Sequence, residues 1–247
     1  MKILLDIGNT SAKVVVADAE GNIIHFEHRE EDWFHVFERL TRQYAIDGCV
    51  VSNVAKVDKQ LLLVLEKQPY PVRWLDYTTP CPVNPECIAP RGLGADRWAA
   101  DIGAMSLCRS SLTSGASMPH ILVVDAGTCI TYDLIAPDGT FVGGNISPGI
   151  ELRLKAMHEH TALLPLIPVE GETPFMGYDT ETAMRSGAVI GAGYEIEGFI
   201  RRTLDRYPDA RVFVTGGSHF RFCESVSDRI TIDPMLVFRG LIEVAKA

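Results

Sequence analysis

The chain has 247 residues, 47% of them hydrophobic, enough for one large core or two smaller ones in an ordered globular protein. A formal charge of −9 excludes a general nucleic-acid binder, whose backbone affinity rests on clustered Lys and Arg, yet leaves open a small anionic ligand held by backbone amides and a few cations. Six cysteines (Cys49, Cys81, Cys87, Cys108, Cys129 and Cys223) contain no C-x-x-C pair, so neither a zinc module nor a disulfide framework is indicated and they are read as reduced thiols.

From the amino terminus, Ile3-Leu4-Leu5-Asp6-Ile7-Gly8-Asn9-Thr10 reads as a short apolar strand running into a turn. The stretch before Asp6 is too short for a signal peptide, so none is expected. Alternation from Lys13 to Asp18 gives a returning strand, and the hairpin ends near Asp18-Ala19-Glu20-Gly21. Trp33, Phe37, Leu40 and Tyr44 form a helical stripe opened by Glu30-Glu31-Asp32, where the helix dipole favours negative charge and no function is assigned. The strand Cys49-Val50-Val51 then enters Ser52-Asn53, and a second helical stripe follows at Trp98, Ile102 and Met105. Arg109 to Pro119 has loop composition, which places a boundary between halves 1–115 and 116–247. The run Ser110 to Val124 is too short and too polar for a membrane span, so a cytoplasmic protein is expected.

Beyond that boundary the chain repeats itself. Ile121-Leu122-Val123-Val124-Asp125-Ala126-Gly127-Thr128 is followed by a strand at Ile130 to Ile135, a turn at Pro137-Asp138-Gly139 and a strand at Thr140 to Val142. Laying Asp6 on Asp125 puts Gly8 on Gly127 and, after one residue of slippage, Gly21 on Gly139. A third stripe at Val189, Gly193, Ile196 and Ile200 precedes Val212-Phe213-Val214, which enters Thr215-Gly216-Gly217 as the Cys49 strand enters Ser52-Asn53. Two halves related by duplication account for this order.

Each loop at Asp6 and Asp125 joins a carboxylate at a strand end to a glycine that lets backbone amides approach a ligand, the arrangement suited to a phosphate with its magnesium. One copy alone is ordinary turn chemistry; two in register point to a phosphate chain held from both sides. Gly143-Gly144-Asn145-Ile146-Ser147-Pro148-Gly149 and Thr215-Gly216-Gly217-Ser218 are places where backbone can pack on a flat or anionic ligand, or simply turns. Gly92-Leu93-Gly94-Ala95-Asp96-Arg97 lies near the start of the Trp98 helix. Asp96 has a capping role available there, whereas the charge of Arg97 opposes the dipole and points to a carboxylate or phosphate partner. His158 and His160, either side of Glu159, point to different helix faces and read as surface residues, not metal ligands.

Together these residues resemble the superfamily of acetate and sugar kinases, heat-shock chaperones and actin, and more closely the type III pantothenate kinases. The closer resemblance rests on Asp6 to Thr10 with Lys13, Gly94-Ala95-Asp96-Arg97, Asp125 to Thr128, Gly143-Gly144 with Pro148-Gly149, Thr180 within Asp179 to Gly187, and Thr215-Gly216-Gly217. It implies an α/β protein of two duplicated ribonuclease H-like halves, the actin-like ATPase fold, with the active site in the cleft between them. The implied reaction is ATP-dependent phosphorylation of pantothenate to 4'-phosphopantothenate, the first step of coenzyme A synthesis. ATP would meet Asp6, Ile7, Gly8, Asn9, Thr10, Ser11, Ala12, Lys13, Thr128, Gly216 and Gly217. Asp6 would hold Mg2+ through water, and Asp125 matches the ligand position of a monovalent cation, K+ or NH4+. Gly94, Ala95, Asp96, Arg97 and Thr180 match substrate positions, with Asp96 as the base that takes the hydroxyl proton. Cys87 stands where the family carries a Tyr, so the wall of the substrate pocket is expected to differ. The resemblance also implies a homodimer, with no nucleic acid and no membrane as partners. Two alternatives stay open: a non-catalytic accessory or regulatory relative, and a kinase for another small hydroxyl substrate on the same scaffold.

Overall fold

The computed structural model describes residues 1–29, 33–56, 59–113, 115–217 and 229–247. Glu30-Glu31-Asp32, Ser218 and Cys223, singled out above, lie outside them. The described residues form two compact units: Met1–Met118 with Ile135–Val142 and Met235–Ala247, and Pro119–Leu134 with Gly143–Pro234.

In the first unit, β1 (Lys2–Ile7), β2 (Ala12–Ala17), β3 (Ile23–Arg29), β4 (Gly48–Asn53) and β5 (Val72–Trp74) make a sheet of order β3-β2-β1-β4-β5. The hairpin strands pair antiparallel and β1-β4-β5 pair parallel. The central strand is apolar throughout because both its faces are covered. Ile3, Leu5 and Ile7 pack into one core with Val36, Phe37 and Leu40 of α1 (Trp33–Gln43) and with Leu61 and Leu65 of α2 (Lys59–Glu66). Leu4 and Asp6 alternate onto the opposite face, where α3 (Ala95–Ser111) and the carboxy-terminal helix lie.

The second unit repeats the plan. Strands β6 (Ile121–Ala126), β7 (Cys129–Ile135), β8 (Phe141–Pro148), β9 (Arg211–Thr215) and β10 (Ile230–Ile232) take the order β10-β9-β6-β7-β8, the same topology with β6 in the place of β1. Leu122, Val124 and Ala126 face a core shared with α4 (Ile150–Glu159) and α5 (Thr180–Arg206). The duplication extends to register: Asp6 lies beside Ser52 across β1-β4, and Asp125 beside Thr215 across β6-β9.

Four expectations are corrected. Helix α3 runs through Ser111, so Arg109 to Ser111 are helical, not loop. Gly143 to Pro148 continue strand β8, because ladder pairing overrides the turn preference of paired glycines. The buried stripe of α5 is Met184, Ala188, Ala192, Ile196 and Ile200: Ile196 and Ile200 stand as read, Ala188 and Ala192 take the places of Val189 and Gly193, and Val189 packs partly buried against the same core. The carboxy-terminal helix α6 (Leu236–Lys246) packs with the first unit on α3, although it follows the second half in sequence.

That last contact depends on two helix glycines. A Cβ on Gly103 would come within 2.2 Å of the Leu236 carbonyl oxygen, and one on Gly240 within 1.9 Å of the Ala99 carbonyl oxygen. In an open helix Gly→Ala stabilises by about 1 kcal/mol, whereas overpacking costs about 1–3 kcal/mol or more, so the clash decides the sign. Gly240→Ala is therefore expected to lower stability in urea unfolding by about 1–3 kcal/mol. Gly198→Ala, at an open position of α5, is expected to leave it unchanged or raise it by up to about 1 kcal/mol.

Candidate active site

Strand alternation buries the carboxylate of Asp6 at the carboxyl end of β1. Lys13 faces it across the hairpin, and Ser52 Oγ donates to Asp6 Oδ1 at 3.1 Å. The turn between them is closed by Gly8 N–H donating to the Ser11 carbonyl at 2.9 Å, with Asn9 and Thr10 exposed at its tip. Ser11 Oγ lies 2.8 Å from His28 Nε2 on β3. Ile7 to Lys13 thus present a loop of backbone and short polar side chains beside one buried acid, with Ala12 turned into the core.

Asp96 sits in the first turn of α3, half-buried, as does Arg97. The cap position belongs to Gly94, which makes no side-chain bond. Asp96 instead satisfies one first-turn donor by accepting the Arg97 N–H at Oδ1, 2.8 Å. Gly94 must be bare for this, since a Cβ would stand 2.6 Å from Asp96 Oδ1. Trp98 is buried beneath, its indole N–H donating to the Thr79 carbonyl at 3.0 Å, which fixes the start of the helix. Because α3 covers the face of the sheet that carries Asp6, the Asp96 carboxylate acts on it. Burial pushes the Asp6 carboxyl up to about 6; Lys13 pulls it down, Asp96 pushes it further up and Ser52 pulls it down.

The second unit builds the loop of Asp125, Gly127 and Thr128. Asp125 is half-buried and Thr128 exposed. Gly127 N–H donates to the Cys129 carbonyl at 3.1 Å and Gly149 N–H to the Thr128 carbonyl at 3.0 Å. Gly216, at φ +102°, lies so close to β6 that a Cβ would come within 2.5 Å of the Ala126 carbonyl; Gly217 beyond it is exposed. Thr180 is exposed as the first residue of α5, behind a capping box in which Asp179 accepts the Thr182 N–H at 2.8 Å. His158 and His160 are exposed, and His158 Nδ1 lies 2.8 Å from the Leu164 carbonyl. Among the described residues no group of three His, Cys, Asp or Glu could hold a metal ion. No helix among them is long and apolar enough to cross a membrane.

One element of this loop was not visible in the sequence. Glu195 of α5 accepts the Tyr132 hydroxyl at 2.9 Å and the Ser147 hydroxyl at Oε1, and pairs through Oε2 with Arg153, whose Nε donates to the Pro148 carbonyl at 2.8 Å. Burial opposes its ionisation, but Ser147, Arg153 and Tyr132 outweigh that and hold the carboxyl below its usual range. Glu195 thereby braces the Ser147-Pro148-Gly149 segment that backs Thr128. Cys87, expected to alter the wall of the substrate pocket, is buried, and its thiol donates to the Gly139 carbonyl at 2.7 Å.

A family model described as type III pantothenate kinase matches residues 2–202. Type III pantothenate kinases from Bacteroides fragilis and Phocaeicola vulgatus are 40% and 35% identical to the chain over 241 residues, 98% of this chain and 96% of each relative. Among solved structures, a candidate 2-dehydro-3-deoxygalactonokinase from Sinorhizobium meliloti matches with a TM-score of 0.60 at 13% identity, covering 100% of this chain and 98% of that one. A candidate Baf family transcriptional activator from Campylobacter jejuni matches at 0.59 and 23%, covering 99% and 97%. At these identities the structural likenesses show a shared fold alone.

The Asp6 shift has a measurable sign. An unfolded Asp titrates near 3.8, so between about pH 4 and 6 the folded chain retains a proton that the unfolded chain has lost, and stability falls as pH rises through that window. Asp6→Asn removes this dependence. Its stability relative to the parent is expected to rise from pH 4 to pH 7 by up to about 3 kcal/mol in urea unfolding; a pH-independent difference would mean that Asp6 titrates normally.

Proposed function

Because the chain belongs to the type III pantothenate kinase family, which phosphorylates pantothenate with ATP at the first step of coenzyme A biosynthesis, we propose that Asp96 takes the proton of the acceptor hydroxyl. The observation that carries this reading is the effect of Asp96 on the Asp6 carboxyl, which joins a half-buried acid at a helix start to the strand end that carries the phosphate loop. As the proton passes to Asp96, the hydroxyl oxygen bonds to the γ-phosphorus and the bond to the ADP oxygen breaks. Arg97 supplies a cation suited to the pantothenate carboxylate, and Gly94, Ala95 and Thr180 complete the substrate contacts.

Asp6 fits a divalent cation: it is a hard oxygen donor whose burial Lys13 and Ser52 offset in part. Asp6 would hold magnesium, and the ion would supply positive charge to the phosphates. Ile7, Gly8, Asn9, Thr10, Ser11, Ala12 and Lys13 are the nucleotide contacts of the first unit, and Thr128, Gly216 and Gly217 those of the second. Asp125 Oδ1 stands 3.3 Å from where a Gly127 side chain would begin, so it borders bare backbone suited to a monovalent cation, potassium or ammonium. Leu163, Leu166, Phe175, Met176 and Tyr178 are exposed just before Thr180, which favours a homodimer that covers them; light scattering that gives a monomer mass removes this part. Use of ATP favours the cytoplasm.

The test is a coupled assay with pantothenate, ATP, magnesium and potassium. Asp96→Asn is expected to lower kcat by about 10²–10⁴-fold with nucleotide binding retained, and full turnover would remove Asp96 as the base. The parent is expected to turn over faster in potassium than in sodium, and Asp125→Ala to lose that difference.

A further inference from the structure

Three side chains form a row across the first unit's sheet at the level of the phosphate loop. Asp6 stands opposite Lys13 across β1-β2, and Lys13 stands opposite His28 across β2-β3. Residues directly opposite in an antiparallel pair project to the same face, so all three share the face turned away from the core of Ala12 and Val14. Phe26, two residues before His28, meets Phe238 of α6 on that face, edge to ring, with centroids 6.3 Å apart. His28 is the next residue along it and is exposed. Ser11, the last residue of the loop before β2, has its Oγ 2.8 Å from His28 Nε2, while its carbonyl accepts the Gly8 N–H at 2.9 Å. Ser11 is therefore held by its backbone from within the loop and by its side chain from β3.

An exposed ring on an outer strand needs no such contact. The neighbouring polar side chains of β3 pair on their own strand or with α1: His25 with Glu27, and Glu27 with Arg29 and Arg39. His28 instead reaches across to the loop. A hydroxyl carries one proton and two lone pairs, so the partner that takes the proton decides what Ser11 can offer a ligand. If the ring accepts it, Ser11 presents lone pairs, which repel an anion. If Nε2–H donates to Ser11 Oγ, the Ser11 O–H stays available for a negatively charged oxygen, on the hairpin that also carries Lys13.

We propose, on the reading of Ser11 as a nucleotide contact, that His28 is a positioning residue of the nucleotide site: it donates Nε2–H to Ser11 Oγ and leaves the Ser11 O–H for a phosphate oxygen of ATP. The ring itself touches no substrate and acts through Ser11. Without it the Ser11 hydroxyl is free to rotate, and ordering it on binding costs nucleotide affinity. The substrate positions at the start of α3 take no part in this contact, so the loss falls on the nucleotide and not on pantothenate.

The experiment is an NMR titration of the full-length protein with magnesium and a non-hydrolysable ATP analogue. Amide shifts give the Kd, and long-range proton–nitrogen spectra locate the proton on the imidazole. In the parent complex the His28 proton is expected on Nε2; a ring protonated only at Nδ1 overturns the proposal, and this measurement needs no variant to fold. His28→Ala and Ser11→Ala are each expected to raise the Kd about 2–10-fold, and the double variant no further than the weaker-binding single one. His28→Gln, whose terminal amide reaches the place of Nε2, is expected to return to within about two-fold of the parent. In the coupled assay the KM for ATP is expected to rise with the Kd in His28→Ala, with the KM for pantothenate held within about two-fold. Parent-like binding by His28→Ala, or losses that add in the double variant, overturn the role of His28 and leave Ser11 as a nucleotide contact. Parent-like binding by Ser11→Ala removes that contact, and the role of His28 with it.

Discussion

A buried carboxylate at the end of a strand sets the terms for the rest of this molecule. Strand β1 is covered on both faces, so alternation that places Leu4 under α3 and α6 places Asp6 there too. Its ionisation is opposed by burial and by Asp96, and favoured by Lys13 and Ser52. Each comes from a different element: the return strand of the hairpin, the neighbouring parallel strand, and the first turn of α3. The fold thus holds an acid whose carboxyl is pushed up to about 6.

The second unit repeats the scaffold with different chemistry. Asp125 stands beside Thr215 as Asp6 stands beside Ser52, yet it is half-buried and has a bare glycine turn against it. Its loop is supported from behind: Gly149 bonds to Thr128, and Glu195 holds Ser147 and Arg153 on either side of that glycine. Duplication supplied two equivalent strand ends, and local side chains give them different surroundings.

The strand ends and their loops were legible because a carboxylate after a run of apolar residues, followed by glycine, leaves a local trace that appears twice. The helix stripes were legible where large residues carried them, as at Trp98, Ile102 and Met105. In α5 two inward positions are alanines, Ala188 and Ala192, so the stripe fell one residue out of place there, whereas Ile196 and Ile200 were legible. The Gly103–Gly240 contact, the Glu195 network and the bond from Cys87 to Gly139 all join residues distant in sequence. No periodicity encodes such contacts; they exist only once α3, α5 and the segment before α3 are folded. Strand β8 was legible only as far as Val142, because pairing and not the glycines decides the conformation of Gly143 to Pro148.

Carbon-13 NMR titration of the Asp6 carboxyl, alone and with magnesium and a non-hydrolysable ATP analogue, tests the central claim most directly. In the free protein Asp6 is expected to titrate at about 6, and with the magnesium nucleotide to fall by about one unit or more. A value near 3.8 in the free protein, or one left unmoved by the magnesium nucleotide, contradicts Asp6 as the buried acid of the phosphate site.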